Sequence, residues 1–169
     1  MGVMIRVRVV GVALDPAQQH VILLSPIDAE ADGERVLPVW IGPQEAMSIL
    51  VAIEGTASPR PLAHDLMTAM LGELSATVDR VEITHLAEGT FYARLVLDTP
   101  RGQRTFDARP SDAIALGARV DAPIWVADTV FAEAGVPDDA VALDPSPEEE
   151  RVEEFRRFLD DVDPEDFQG

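Results

Sequence analysis

The sequence predicts an α+β fold made of two duplicated β-β-β-α units, whose strands form a mixed or antiparallel sheet packed with helices. Three observations carry this expectation. Segments that alternate apolar and polar residues, the mark of half-buried strands, come in two groups of three. Each group runs into a proline followed by apolar residues at helical spacing. The segments IGPQEAMSILVAI (41–53) and ARPSDAIALGARV (108–120) also superpose at an offset of 67 residues, placing Pro43 on Pro110, Glu45 on Asp112 and Ala46 on Ala113. Neither unit can bury a three-stranded sheet by itself, so the two are expected to pack as one domain over residues 1–135.

The first strand covers residues 5–14. Ile5, Val7 and Val9 alternate with Arg6 and Arg8, and the slip of phase at Val9-Val10 predicts a bulge near Gly11. Asp15-Pro16 turns the chain into a short apolar strand, His20 to Leu24, which Ser25-Pro26 ends. Residues 28–35 read as a polar loop. Val36 to Ile41 form the third strand, where Pro38 predicts an edge or a bulge. Pro43 opens a helix with Ala46, Ile49, Leu50 and Ile53 on its apolar face, stopped by Gly55. A second helix, from about Pro61 to Leu74, has Leu62, Leu66, Met70 and Leu74 as its apolar stripe.

The repeat then begins. Thr77 to Leu86 form a strand, Glu88-Gly89 a hairpin turn and Phe91 to Asp98 its partner strand. Pro100-Arg101-Gly102 turns into a third strand, Arg104 to Ala108. Pro110 opens a helix to about Val120, Ile124 to Ala127 form a last strand, and Asp128 caps a short helix ending at Gly135. Residues 136–169 form an acidic tail: a Pro- and Asp-rich linker, 136–147, then a short C-terminal amphipathic helix, 148–162. Val152, Phe155, Leu159 and Val162 share one face of that helix, which is expected to dock on the domain or on a neighbouring subunit.

Composition narrows the function classes. There is no cysteine, which excludes disulfides and thiolate metal sites and suits a reducing compartment. No run of 18 apolar residues exists to span a membrane. Met1 to Arg8 starts a strand pattern rather than a leader, so a cytoplasmic location is expected. The net charge of −18 is uneven: residues 136–169 hold 13 acids and 3 arginines, a net of −10, and residues 1–135 hold 18 acids and 10 arginines, a net of −8. No basic face is evident, which weighs against a nucleic-acid partner. With no P-loop, G-x-G-x-x-G, G-x-S-x-G or cysteine, neither a nucleotide cradle nor a nucleophilic triad is predicted.

One cluster is rich in chemistry: Arg60, His64, Asp65, Asp107, Arg109, Ser111 and Asp112. His64, Asp65 and Asp112 are the candidate catalytic groups. Carboxylates beside a histidine suit a hard divalent cation, Mg²⁺ or Mn²⁺, with Asp65, Asp112 and Glu45 as its candidate ligands. Such an ion activates water for phosphodiester cleavage. Arg60, Arg109 and Ser111 are the candidate substrate-binding groups, since arginine clamps phosphate with paired N–H donors. The helix starts at Pro43 and Pro110 add free backbone N–H groups for an anion. The same residues also have plainer roles. Acids in a first helical turn favour the helix dipole, Ser111 can cap its helix, and Arg109 can form a structural ion pair with Asp65 or Asp112. His20 and His85, in strands, read as surface or packing residues.

Three stretches are more specific: VLPVWIGPQEA (36–46), RPLAHDL (60–66) and DARPSDAIALGARVDAPIWVA (107–127). Together, and in this order, they resemble the bifunctional nuclease family over about residues 3–135. The resemblance implies a small α+β protein that forms homo-oligomers, with DNase and RNase activity and therefore a nucleic-acid substrate. The family's RPLTHDL pattern falls on Arg60, Pro61, Leu62, His64, Asp65 and Leu66, with Ala63 in place of the usual threonine. Its DARPSDA pattern is intact at Asp107, Arg109, Pro110, Ser111 and Asp112. Some relatives append a UVR-type helical hairpin, for which the acidic tail is too short. Two functions follow. A metal-assisted nuclease expects Glu45, His64, Asp65 and Asp112 to converge within reach of a metal. A non-enzymatic oligomeric binding or regulatory module expects the same residues in internal ion pairs with no open pocket. A site, in either case, is expected beside Asp112 and the His64-Asp65 helix, with Glu45 the weaker member.

Overall fold

A computed structural model describes residues 2–28, 35–138 and 144–145. The expected tail helix over residues 148–162 lies outside the described residues. The alternating segments form β1 (Met4–Leu14), β2 (His20–Pro26) and β3 (Arg35–Ile41), followed by α1 (Pro43–Glu54) and α2 (Ala63–Glu73). The second unit is β4 (Thr77–Ala87), β5 (Thr90–Thr99), β6 (Gly102–Ala108) and α3 (Pro110–Arg119). The chain then continues through β7 (Ile124–Ala127), α4 (Asp128–Ala134), β8 (Val136–Pro137) and β9 (Asp144–Pro145). The fold is therefore α+β with a mixed sheet, as the sequence predicts.

Each unit is an antiparallel meander leading to a proline-started helix. The sheet order is β6-β5-β4-β7-β1-β2-β3-β8, with β9 pairing β1 off this path. β7 joins the two meanders, antiparallel to β1 and parallel to β4. The strands β1 and β4 thus run in opposite directions on either side of it. Local chemistry sets the details. The register of β1 against β2 slips between Val9 and Gly11, at the expected bulge. Pro38 sits on β3 beyond the reach of the two-residue β8, so its missing N–H leaves no ladder bond unmade. Glu88 and Gly89 both have positive φ (51° and 75°), the backbone of a tight type I′ hairpin turn. Gly55 takes the left-handed conformation that closes α1.

The core lies between the sheet and its helices. Ile49 of α1 and Ile114 of α3 are fully buried with Ile22, Leu24, Leu37, Val81, Ile83 and Val126 of the sheet. Each such aliphatic side chain stabilises the fold by about 1.5–3 kcal/mol. α3 comes so near the sheet that a Cβ on Gly117 would lie 2.7 Å from Val81 Cγ2. The second helix differs from expectation. Its stripe of Leu62, Leu66, Met70 and Leu74 faces outward, joined by Met67, and only His64 of α2 is buried. α2 is held to α1 and α3 by the polar side chains of His64 and Asp65, with Leu71 packed against the core, and its outer apolar face stays exposed.

Candidate functional site

The starts of α1, α2 and α3 share a pattern. Glu45, Asp65 and Asp112 each occupy the third helical position, where a carboxylate meets free N–H groups and the positive end of the dipole. Asp65 shows the backward reach directly: its Oδ2 accepts from the Leu62 N–H at 2.9 Å. Glu45 folds back over Gly42, where any side chain would collide with its carboxylate. These are the plain structural roles of the acids.

The side chains around them form one connected series. Ser48 Oγ lies 2.7 Å from His64 Nδ1. His64 Nε2 lies 3.1 Å from Asp112 Oδ1. Arg109 Nε donates to Asp112 Oδ2 at 2.9 Å, and its NH1 donates to Glu45 Oε1 at 3.1 Å. Ser48 and His64 are buried, whereas the Arg109 side chain is 65% exposed. Its two carboxylate partners hold the Arg109 guanidinium above its ordinary pKa, chiefly through the Asp112 hydrogen bond. These residues line a cleft of about 570 Å³ between α1, α2 and the start of α3, with Gln44, Met47, Leu62 and Ala63 on its walls.

Arg119 stands behind the cleft. Its side chain is 7% exposed. Nε donates to Asp65 Oδ1 at 2.7 Å, and NH1 donates to the Ser48 carbonyl at 3.1 Å and to the Ala115 carbonyl at 2.7 Å. This guanidinium, followed by the Leu62 N–H, holds the Asp65 carboxyl below the usual range. One residue thus ties α1, α2 and α3 together. The duplication appears here in atomic form. Ser48 and Ala115 are equivalent in the two units, as are Glu45 and Asp112, and each pair is bridged by one arginine. The counterparts of Arg109 and Arg119 in the first unit are Gly42 and Ala52.

The structure divides the residues singled out from the sequence. Glu45, His64, Arg109 and Asp112 line the one cleft. Asp65 turns away to Arg119. Ser111 is buried in a neighbouring hollow of about 410 Å³ that Arg109 shares with Trp40, Phe91 and Pro110. Arg60 is exposed and does not line the cleft. Asp107 lies in another hollow with His85, Tyr92 and Arg94, where His85 stacks on Tyr92 at 4.4 Å as a packing residue. Among the described residues, no three His, Asp or Glu side chains are grouped to hold a metal ion. The set Asp65, Asp112 and Glu45 does not fit one as arranged, because arginines hold all three carboxylates. Ion pairs and an open cleft therefore occur together. Ser48 and Arg119 went unmarked in the sequence. The signal for Ser48 was a lone hydroxyl on the buried face of α1, and for Arg119 a cation that ends the apolar run 113–118 in the last turn of α3.

The fold and the cleft define a class: a duplicated α+β domain with a polar site where three helices begin. The model of the bifunctional nuclease domain matches residues 27–139, and the chain belongs to this family. It is similar to an uncharacterized protein of Mycobacterium tuberculosis, 42% identical over 167 residues, covering 96% of this chain and 98% of that protein. It is also similar to bifunctional nuclease 1 of Oryza sativa subsp. indica, 28% identical over 115 residues, covering 66% of this chain and 34% of the plant protein. Bifunctional nuclease 2 of Oryza sativa subsp. japonica is 30% identical over 101 residues, covering 57% of this chain and 31% of that protein. All seven residues of the cleft and its support, Glu45, Ser48, His64, Asp65, Arg109, Asp112 and Arg119, fall within the matched domain.

Proposed function

We propose that this chain is a nuclease that hydrolyses phosphodiester bonds of DNA and/or RNA in the cleft between α1, α2 and α3. The observation that carries the reading is the exposed Arg109 beside a buried His64 that is hydrogen-bonded to Asp112, in a cleft walled by the starts of three helices. Arg109 would take the non-bridging phosphate oxygens by turning from Glu45, and the His64–Asp112 pair would move the proton. The acidity of the chain is less of an obstacle at this place. Each helix start presents about half a positive charge, so three of them, together with Arg109 and Arg119, offset Glu45, Asp65 and Asp112.

Mg²⁺ or Mn²⁺ is the proposed cofactor because carboxylates beside a histidine suit hard cations; Glu45 and Asp112 would have to exchange Arg109 for it, and no step is routed through it. The direct test uses purified protein on single-stranded and duplex DNA and RNA, with Mg²⁺, Mn²⁺ or EDTA, beside His64→Ala and Asp112→Ala. Loss of cleavage in both variants is expected. Undiminished cleavage in both would point to a contaminating enzyme and remove the site. A second reading, a non-enzymatic oligomeric binding module, is favoured by the ion pairing of Glu45, Asp65 and Asp112; it expects no cleavage in any condition. On either reading we propose a homo-oligomer, supported by the exposed apolar face of α2.

A further inference from the structure

Ser48, His64 and Asp112 come from three different helices and meet in one hydrogen-bonded series. Their proton positions follow from elementary rules. An ionised carboxylate only accepts, so Asp112 places the proton of a neutral imidazole on Nε2. Nδ1 then carries the lone pair, and the Ser48 hydroxyl donates to it across 2.7 Å. A hydroxyl donating to an imidazole whose opposite N–H is held by a carboxylate is the arrangement of an activated serine, here with the two ring nitrogens exchanged. Arg119 fixes the geometry from behind by holding the Ser48 carbonyl on α1 and Asp65, the residue after His64, on α2. All three members line the cleft, and the exposed Arg109 stands beside them.

Resting on the phosphodiester reading above, we infer that Ser48 is the nucleophile of this cleft and that cleavage runs through a phosphoserine diester at Ser48. In the first step Ser48 Oγ attacks phosphorus, the Oγ–P bond forms and the bond to the leaving oxygen breaks. The Ser48 proton passes to His64 Nδ1 and then to the leaving oxygen. In the second step water attacks phosphorus and gives its proton to Nδ1, the P–Oγ bond breaks, and Ser48 regains the proton. One water is consumed, and nothing is oxidised or reduced. Asp112 stays ionised and stabilises the imidazolium formed in each step.

The test treats the full chain with diisopropyl fluorophosphate and maps adducts by mass spectrometry, alongside cleavage of a fluorescent oligonucleotide and hydrolysis of 4-nitrophenyl acetate. The expected result is a diisopropylphosphoryl group on Ser48 that is absent from Ser48→Ala and forms about tenfold slower or worse in Asp112→Ala. Oligonucleotide cleavage should fall roughly a hundredfold or more in Ser48→Ala. Wild-type labelling needs no variant to fold, and a melting curve of Ser48→Ala checks that variant's fold. If wild type cleaves, Ser48 is unlabelled and Ser48→Ala keeps its rate within about threefold, the nucleophile is overturned and the nuclease stands. If Ser48 is labelled and supports ester hydrolysis while oligonucleotides stay intact, the phosphodiester step is overturned and the nucleophile stands. If cleavage needs Ser48 but no label forms, the stereochemical course on a chiral phosphorothioate decides: retention supports two displacements and inversion overturns them. Absence of both label and cleavage in wild type overturns both readings.

Discussion

Replacing Arg119 with leucine removes a nearly buried cation and three hydrogen bonds that join α1, α2 and α3. The Asp65 side chain is 35% exposed, so water replaces the lost partner and that bond is worth at most about 1 kcal/mol. The Ser48 and Ala115 carbonyls lie inside helices and keep their own helical partners, so each lost bond falls near the low end, about 1 kcal/mol. Against this, Arg119 NH2 is buried with no hydrogen-bond partner among the described residues, and leucine relieves that desolvation while retaining part of the apolar stem's packing. The net expectation is a loss of about 2 kcal/mol, which lowers Tm by roughly 4–8 °C in a chain of this size. Urea and thermal unfolding measure it, with Arg119→Lys as the intermediate case because an ammonium lacks the planar fork. A leucine variant as stable as wild type would refute the clamp. It would place Arg119 among buried charges that apolar residues replace without loss.

Gly117→Ala should destabilise by about 1–2 kcal/mol despite its better helix propensity, because the new methyl meets Val81 Cγ2; equal or greater stability in urea would show that β4 yields at this point. Asp65 has a lowered pKa, so its contribution is present above its ordinary value of 3.8 and is lost as pH falls through the lower folded value. Stability is therefore expected to be insensitive to Asp65 from pH 5 to pH 8, and Asp65→Asn should flatten the acid limb of a urea-midpoint series below about pH 4; an unchanged limb would remove Asp65 as its source. Leu66→Glu with Met70→Glu should dissociate an oligomer built on α2 without lowering Tm by more than about 2 °C, since both side chains are exposed in the single chain; light scattering that shows one mass for both proteins would place any interface elsewhere.

Most of the fold was legible because its punctuation is local. Pro43 and Pro110 mark helix starts, Glu88-Gly89 marks a tight hairpin, and the phase slip before Gly11 marks a bulge. The stripe on α2 misled because helical periodicity shows that a face is apolar, not what covers it. The site was half legible. His64 and Asp112 do meet, but Asp65 does not join them, since successive residues on a helix point about 100° apart. His64 therefore faces Ser48 on α1, while Asp65 faces Arg119 on α3. Partnerships between helices 16 to 71 residues apart depend on how those helices pack, which no local pattern encodes.

The strand β7 comes late in the chain yet occupies the middle of the sheet, pairing β1 on one side and β4 on the other. During synthesis both meanders emerge before the four residues that join them. Until Ile124 to Ala127 arrive, the inner edges of β1 and β4 are open, and an open edge accepts any passing strand, including one from a second nascent chain. The order of translation thus sets a window of exposure that closes only near the end of the domain. A chain stopped before Ile124 keeps both edges, so truncation there is expected to yield self-associating material rather than a smaller folded protein.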